Sequence, residues 1–182
     1  MQPDEIMVNI LERFFGIQDD QIINNAPLPD YAVIHQLLKS GYSIRNLYKG
    51  SNLLDVKYTN SPVHSTDLES LFKLADQVIW LDLNNCKLSD RDVEIIATLT
   101  NLRKLNLSKN DISDLGAKQL LHLAHLEYLN LYDTKVSDSS VIMLAGMPSL
   151  KEMYLWQTQA NDSTIEKLKH QNKRIKIIYK AQ

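Results

Sequence analysis

Cysteine is nearly absent from this sequence, since its 182 residues contain only Cys86. A single cysteine excludes an intrachain disulfide and every CxxC or CxxCH motif. A charge excess of either sign is also absent, because 20 Lys and Arg residues stand against 22 Asp and Glu residues, for a net charge of −2. No basic stretch is interleaved with aromatic residues, so the sequence predicts no nucleic-acid partner.

Long apolar runs are missing as well. The longest, such as Val78 to Leu81, fall far short of the roughly 18 residues that a membrane-spanning helix needs, and we expect no direct membrane insertion. The N-terminal sequence Met-Gln-Pro-Asp-Glu has no basic stretch followed by an apolar one, which argues against a secretion signal there. The remaining composition, 44% hydrophobic and 23% charged, is typical of a folded, water-soluble domain.

A 24-residue repeat runs through the second half of the chain. Four copies follow the template LxxLxLxx(N/C/T)x(L/I/V), at residues 78–90, 102–114, 126–138 and 150–162, and a half-copy begins at residue 174. The template resembles the leucine-rich repeat. Its apolar residues at alternate positions predict a short strand with one buried face, and strands of successive copies stack into a parallel sheet.

The second half of each copy has apolar residues three and four positions apart, which predicts a helix packed on the sheet. The inward positions are Val93, Ile96, Ala97 and Leu99, then Ala117, Leu120, Leu121 and Leu123, then Val141, Leu144, Ala145 and Met147. A capping residue followed by aspartate begins each helix, at Ser89 and Asp90, Ser113 and Asp114, Ser137 and Asp138, and Asn161 and Asp162. The predicted fold is an α/β, right-handed leucine-rich-repeat solenoid with a concave parallel sheet and convex helices.

A small side chain follows each strand, at Cys86, Asn110, Thr134 and Thr158. There the chain turns out of the strand, and a polar side chain can hydrogen-bond the turn backbone. We therefore interpret Cys86 as structural.

The N-terminal part departs from the period, as terminal repeats generally do. The pattern predicts a helix over residues 30–39, with Ile34, Leu37 and Leu38 inward, and a hairpin of strands at 42–48 and 53–58. A further helix, with Leu68, Leu71 and Leu74 inward, is expected to begin at a cap over residues 65–67. Aligning Leu54 with Leu81 gives a step of 27 residues, which predicts an extra turn around residues 60–62.

Upstream, apolar spacing predicts an amphipathic helix over residues 3–15, and residues 18–29 have the composition of a linker. The expected domains are residues 1–29 as helix and linker, 30–77 as an irregular cap, and 78–182 as repeats. The repeat units are 78–101, 102–125, 126–149, 150–173 and the half-repeat 174–182.

Solenoids of this kind bind partners on the concave sheet. The outward side chains form four columns, which are Ile79, Arg103, Glu127 and Lys151; Trp80, Lys104, Tyr128 and Glu152; Asp82, Asn106, Asn130 and Tyr154; and Asn84, Ser108, Tyr132 and Trp156. Aromatic anchors ringed by charges are typical of binding hot spots, although cross-strand aromatic pairs also stabilise sheets and a terminal segment can fold over them. The predicted partner-binding residues are Tyr128, Tyr132, Tyr154, Trp156, Trp80, Asn106, Asn130 and Lys104.

Catalytic and metal-binding motifs are weak by comparison. His122 and His125 lie three residues apart without a Cys, Asp or Glu at ligand spacing, and His35, His64 and His170 are isolated. We find no Ser-His-Asp order and no glycine-rich phosphate loop. The basic C-terminal end is interpreted as a solvated cap; it comprises Lys167, Lys169, Lys173, Arg174, Lys176 and Lys180.

A narrower resemblance concerns bacterial repeats. Residues 111–120 are similar to bacterial units that read L-x-x-L-x-L-x-x-T-x-V-T-D-x-G-L-x-x-L. A second resemblance is to the C-terminal region of bacterial membrane-anchored proteins with a c-type cytochrome domain. It rests on the order of the segments at residues 50–58, 77–83, 126–136 and 150–158. The resemblance covers roughly residues 27–182 and implies a repeat-bearing tail that faces the periplasm. This chain has no haem-attachment motif, so no haem ligand is transferred to it and no cofactor is predicted.

These observations predict a non-catalytic protein-interaction module with an unidentified protein partner. An alternative is glycan or small-molecule binding on the same face, with Asp82, Asn106 and Asn130 as a polar ladder beside the aromatic residues. A second alternative is a structural spacer that holds a neighbouring domain.

Overall fold

The structure is a computed structural model that describes residues 26–59 and 62–180. The helix expected over residues 3–15 and most of the expected linker lie outside the described residues. A seven-stranded sheet is flanked by helices. Its strands are β1 (Ser43–Asn46), β2 (Leu54–Lys57), β3 (Val78–Asp82), β4 (Lys104–Asn106), β5 (Tyr128–Asn130), β6 (Glu152–Tyr154) and β7 (Lys176–Ile178).

Helices alternate with these strands along the chain. They are α1 (Tyr31–Lys39), α2 (Ser65–Phe72), α3 (Asp90–Ile96), α4 (Asp114–Gln119), α5 (Asp138–Ala145) and α6 (Asp162–Gln171), with a 3-10 turn at Leu120–His122 after α4. Among the residues that the structure describes, no helix is long and apolar enough to cross a membrane.

The sheet follows chain order from β1 to β7. β1 and β2 pair antiparallel, as the predicted hairpin requires, and every later pair is parallel. From β3 onward, the 24-residue step holds in each pair, so that Leu81, Leu105 and Leu129 lie side by side. The predicted α/β solenoid with an irregular N-terminal cap is therefore confirmed.

The core lies between the sheet and the helices. Each inward strand leucine is fully buried, and so are most of the helix positions expected to face the sheet. Leu38 and Leu121 are exceptions, since both are exposed. In α1 it is Val33 that is buried beside Leu37, because the spacing of four residues places these two on one face.

Two expectations for the N-terminal cap are wrong. Leu54 lies beside Val78 and Val56 beside Leu81, so the step between β2 and β3 is 24 and then 25 residues rather than 27. The single extra residue is accommodated by a register shift within the pair. The extra turn expected around residues 60–62 lies mostly outside the described residues. The N-cap of α2 is His64, whose side chain makes no capping hydrogen bond, and the helix begins directly at Ser65.

The helix caps of α4, α5 and α6 are each bound to the preceding repeat. The Asp90 carboxylate accepts hydrogen bonds from the Ser113 backbone N–H at 2.8 Å and the Ser113 hydroxyl at 2.6 Å. Asp114 binds Ser137 in the same way, with distances of 2.8 and 2.5 Å. The aspartates predicted to favour their own helix dipole therefore also join consecutive helices.

Gly116 in α4 allows this connection to pack closely. A Cβ atom at this position would lie 2.5 Å from Asp90 Oδ1, 3.1 Å from Asp90 Cα and 3.1 Å from Ile112 Cγ2. The absence of a side chain at Gly116 thus leaves room for the carboxylate that binds Ser113.

We expect Gly116→Ala to lower the free energy of unfolding by about 1–2 kcal/mol, because overpacking outweighs the helix propensity gained. The measurement is urea denaturation followed by circular dichroism. The matched control is Gly146→Ala, whose Cβ would meet only the Met143 carbonyl oxygen, at 3.1 Å. A higher unfolding midpoint for Gly116→Ala than for the wild type would contradict the close packing.

Candidate partner-binding surface

Alternate strand residues face away from the helices on the concave side of the sheet. In β4, β5 and β6 the central residue is buried while its two neighbours remain partly accessible. Because of this alternation, the outward side chains form two rows that run across the strands. One row contains Asn130, Tyr154 and Ile178, which are register partners, and the other contains Tyr132, Trp156 and Lys180, which share the 24-residue step.

These two rows enclose the aromatic pocket, a concave space of about 500 Å³ at the C-terminal end of the sheet. It is lined by Asn130, Tyr132, Tyr154, Trp156, Lys176, Ile178 and Lys180. The rings of Tyr132 and Trp156 are stacked, with centroids 5.4 Å apart and an interplanar angle of 24°. Trp156 remains 46% exposed, so the stack offers an apolar face to a partner.

Tyr154 is oriented within the pocket by a carboxylate. Its hydroxyl donates a hydrogen bond to Glu152 Oε1 at 2.7 Å, and its ring lies 5.2 Å from the ring of Tyr128. Burial and this hydrogen bond raise the pKa of Tyr154, so the side chain is a neutral phenol. Burial opposes ionisation of Glu152, but hydrogen bonds from Lys176 and Tyr154 outweigh it and lower the pKa of the Glu152 carboxyl.

The charged side chains that line the aromatic pocket are both lysines. Lys176 Nζ lies 2.9 Å from Glu152 Oε1, and Lys180 Nζ lies 2.9 Å from Asp162 Oδ2. Neither carboxylate lines the pocket. The lining thus combines aromatic and aliphatic surface with positive charge.

The other predicted residues lie around a second, smaller depression of about 170 Å³. Trp80, Lys104, Asn106 and Tyr128 line it together with Asp55 and Asp82. Lys104 Nζ lies 4.3 Å from the centroid of the Trp80 ring, and burial lowers the pKa of this lysine. The eight predicted residues therefore divide between two neighbouring sites, and the aromatic pocket is the larger.

The polar ladder of Asp82, Asn106 and Asn130 crosses both sites, and its side chains make hydrogen bonds within the protein. Asn106 Nδ2 donates to Asp82 Oδ1 at 2.9 Å. Asp82 and Asn106 also accept hydrogen bonds from the backbone two residues further on, as does Asn130 from the Tyr132 N–H at 3.0 Å. These side chains hold the turns that end the strands, which favours a structural role for the ladder.

Three of the four residues in the first predicted column are not outward, and only Lys151 is exposed. Ile79, Arg103 and Glu127 are buried, and Arg103 Nη1 lies 2.7 Å from Glu127 Oε1. Lys151 Nζ approaches the same carboxylate at 2.8 Å, and Ile79 packs against Leu53. Because side chains alternate between the two faces of a strand, column two is partly accessible, whereas column one is buried except at Lys151.

Lys176, Ile178 and Lys180 are lining residues that the predicted set omits. The repeat period could have identified two of them, because Ile178 and Lys180 lie 24 residues after Tyr154 and Trp156. Extending the columns into the half-repeat would have found them.

The aromatic pocket is lined by Lys176 and Lys180 from the basic C-terminal end, but not by any histidine or by Arg174. His122 and His125 are both exposed, and no group of three metal-ligating residues occurs within residues 26–59 and 62–180. Arg174 donates to the carbonyl oxygens of Met147 at 2.8 Å and Ala145 at 3.3 Å, so it caps the end of α5. Part of the basic end thus holds the last repeat in place.

Comparison with known families agrees with this geometry. The leucine rich repeat family model matches residues 76–136 and 100–159. A comparison with curated proteins finds no significant match. The matched leucine-rich repeats, residues 76–159, build the sheet from β3 to β6. Domains of this class generally mediate protein–protein interaction through the concave face.

Proposed function

We propose that the chain is a non-catalytic protein-interaction module whose contact surface is the aromatic pocket. The observation that carries this proposal is the exposed Tyr132–Trp156 stack beside the apolar side chain of Ile178. Aromatic side chains supply large contact area at low conformational cost, and they are enriched at the centres of protein interfaces. A volume of about 500 Å³ is sufficient for one or two side chains of a partner.

We also propose that the module is part of a larger bacterial cell-envelope protein with a cytochrome c domain, with the repeats in the periplasm. The support is the order of the segments at 50–58, 77–83, 126–136 and 150–158. The same proposal includes the division into residues 1–29, 30–77 and 78–182.

The test replaces both stacked rings, as Tyr132→Ala together with Trp156→Ala. Wild-type chain immobilised on beads is used to capture proteins from a bacterial envelope extract, and a captured protein is identified and then titrated against each variant. We expect the double variant to bind this protein at least about 30-fold more weakly, the effect of losing a hot spot.

A matched control replaces two exposed aromatic residues elsewhere, as Tyr31→Ala together with Phe72→Ala. These side chains are 65% and 57% exposed, on α1 and α2. We expect the control to bind as the wild type does, and thermal melts establish that all three proteins fold. Equal affinity of wild type and Tyr132/Trp156 variant would contradict the proposal, and binding that a glycan array detects in place of a protein would favour the glycan alternative.

A further inference from the structure

The outer edge of β7 is open. No strand within residues 26–59 and 62–180 pairs with it. On the inner side, the Lys176 N–H donates to the Lys151 carbonyl at 2.8 Å, and the Leu155 N–H donates to the Ile178 carbonyl at 2.8 Å. Because the N–H and C=O of one residue point to the same side of a strand and those of the next residue to the other side, the N–H and C=O of Ile177 point away from β6. An unpaired row of this kind is a template for another strand.

This edge is continuous with the aromatic pocket. Lys176, Ile178 and Lys180 follow one another at alternate positions, and all three line the pocket. β7 ends at Ile178, and Lys180 lies in the bend that follows it. A strand added to β7 would therefore place alternate side chains beside Lys176 and Ile178, and the next alternate side chain near Lys180. The middle one would lie over Ile178, in the direction of Tyr154, which is the register partner of Ile178.

The charge on this edge opposes pairing between two copies of the chain. If two copies paired antiparallel about Ile178 and the pairing continued past the end of β7, Lys176 of each copy would lie opposite Lys180 of the other. Like charges at opposed positions destabilise a strand pair, whereas opposite charges stabilise it. The two lysine side chains are 65% and 58% exposed despite their ion pairs, so each can contact a further carboxylate.

We propose that β7 accepts an extended segment of a protein partner as an additional strand, and that this segment carries an apolar side chain between two acidic ones at alternate positions. Main-chain hydrogen bonds along Ile177 supply affinity, and alternate side chains supply specificity, as in other cases of strand addition. The acidic side chains pair with Lys176 and Lys180, and the apolar one enters the aromatic pocket. The pattern is symmetrical, so either strand direction satisfies it. This inference rests on the proposed function and names the mode of binding and the chemistry of the partner.

The test begins with a display library of random heptapeptides selected on the intact 182-residue chain. We expect the enriched peptides to share the order acidic, any, apolar, any, acidic. The strongest binder is then synthesised in three forms: unmodified, N-methylated at one set of alternate amides, and N-methylated at the other set.

One N-methylated series is expected to bind at least about tenfold more weakly than the unmodified peptide, because it loses hydrogen bonds to β7. The other series has its amides directed away from the edge and is expected to stay within about threefold. Lys176→Ala with Lys180→Ala should weaken binding by about tenfold in low salt, since two charge pairs are lost. The matched control, Lys118→Ala with Lys167→Ala, removes the same charge from two helices and should have no effect.

Several results would overturn the strand proposal. They are an enriched motif without acidic residues, equal affinity of both N-methylated series, or no enriched peptide at all. The proposed function is decided separately, by the protein captured in the experiment on Tyr132 and Trp156. If the Tyr132/Trp156 variant loses the peptide while both N-methylated series bind like the unmodified form, the aromatic pocket is a binding site and strand addition is wrong.

Discussion

Replacing Asn110 with alanine is expected to lower the free energy of unfolding by about 4 kcal/mol, because it leaves several buried backbone groups without partners. Asn110 Oδ1 accepts hydrogen bonds from the Cys86 N–H at 2.9 Å and the Leu88 N–H at 3.0 Å. Asn110 Nδ2 lies 2.9 Å from the Leu83 carbonyl oxygen and 3.0 Å from that of Leu107. One side chain therefore satisfies the turns of two consecutive repeats.

The equivalent residue of the next repeat provides the control. Thr134 is also buried, but its side chain donates one hydrogen bond, from Oγ1 to the Leu131 carbonyl at 2.7 Å. Thr134→Ala should cost about 1 kcal/mol, the usual net value of a single bond. Urea denaturation of both variants gives the comparison, and equal losses at the two positions would show that the hydrogen bonds of Asn110 are not what stabilises the turns.

Asp114→Asn is expected to lower the free energy of unfolding by about 2 kcal/mol at pH 7, since hydrogen bonds to a charged acceptor are replaced by neutral ones. The Asp114 carboxylate accepts hydrogen bonds from the N–H and hydroxyl of Ser137 and from the hydroxyls of Ser139 and Ser140. Burial opposes ionisation, but these hydrogen bonds outweigh it and lower the pKa of Asp114 well below its usual range.

The sign of the pH dependence follows from this lowered pKa. The unfolded chain binds a proton at Asp114 more readily than the folded chain does, so the stabilisation is complete above about pH 4 and is lost progressively as the pH falls. We expect the difference between wild type and Asp114→Asn to shrink on going from pH 7 to pH 2. Urea titrations at several pH values measure it, and a difference that stays constant over this range would contradict the role of the ionised carboxylate.

Asp162→Asn is the matched control for Asp114. Asp162 occupies the same place in the last complete repeat, but its partner is Lys180, and both side chains are more than half exposed. A surface ion pair of this kind contributes between 0 and about 1 kcal/mol. A loss at Asp162 as large as that at Asp114 would indicate a general effect of charge at helix starts.

The regular part of the fold could be predicted from the sequence because the 24-residue period determines both register and burial. Leu105 lies beside Leu129, and Trp80 beside Lys104, as equal spacing requires. The period does not extend to the cap, where the pairing of Leu54 depends on how an extra residue is accommodated. The spacing of apolar residues does not show where in the strand pair this extra residue is placed.

The candidate site was predicted less completely. Equal spacing places Tyr132 next to Trp156, and alternation from the buried leucines identifies the first column as the inward one. Arg103 and Glu127 are polar and so resembled surface residues, yet they satisfy each other within the fold. Such pairing depends on side-chain conformations that a single sequence does not reveal.

The aspartate connections between helices have a consequence for how such an array can change in length. Asp90 binds Ser113, Asp114 binds Ser137, and Asp138 binds Asn161, so each connection spans 23 residues. Removing residues 114–137 would join Ser113 directly to Asp138 and would leave both remaining connections intact. Whole units can therefore be duplicated or deleted in this chain without creating an unmatched end, whereas an insertion of another length changes the 23-residue spacing of the connection in which it falls.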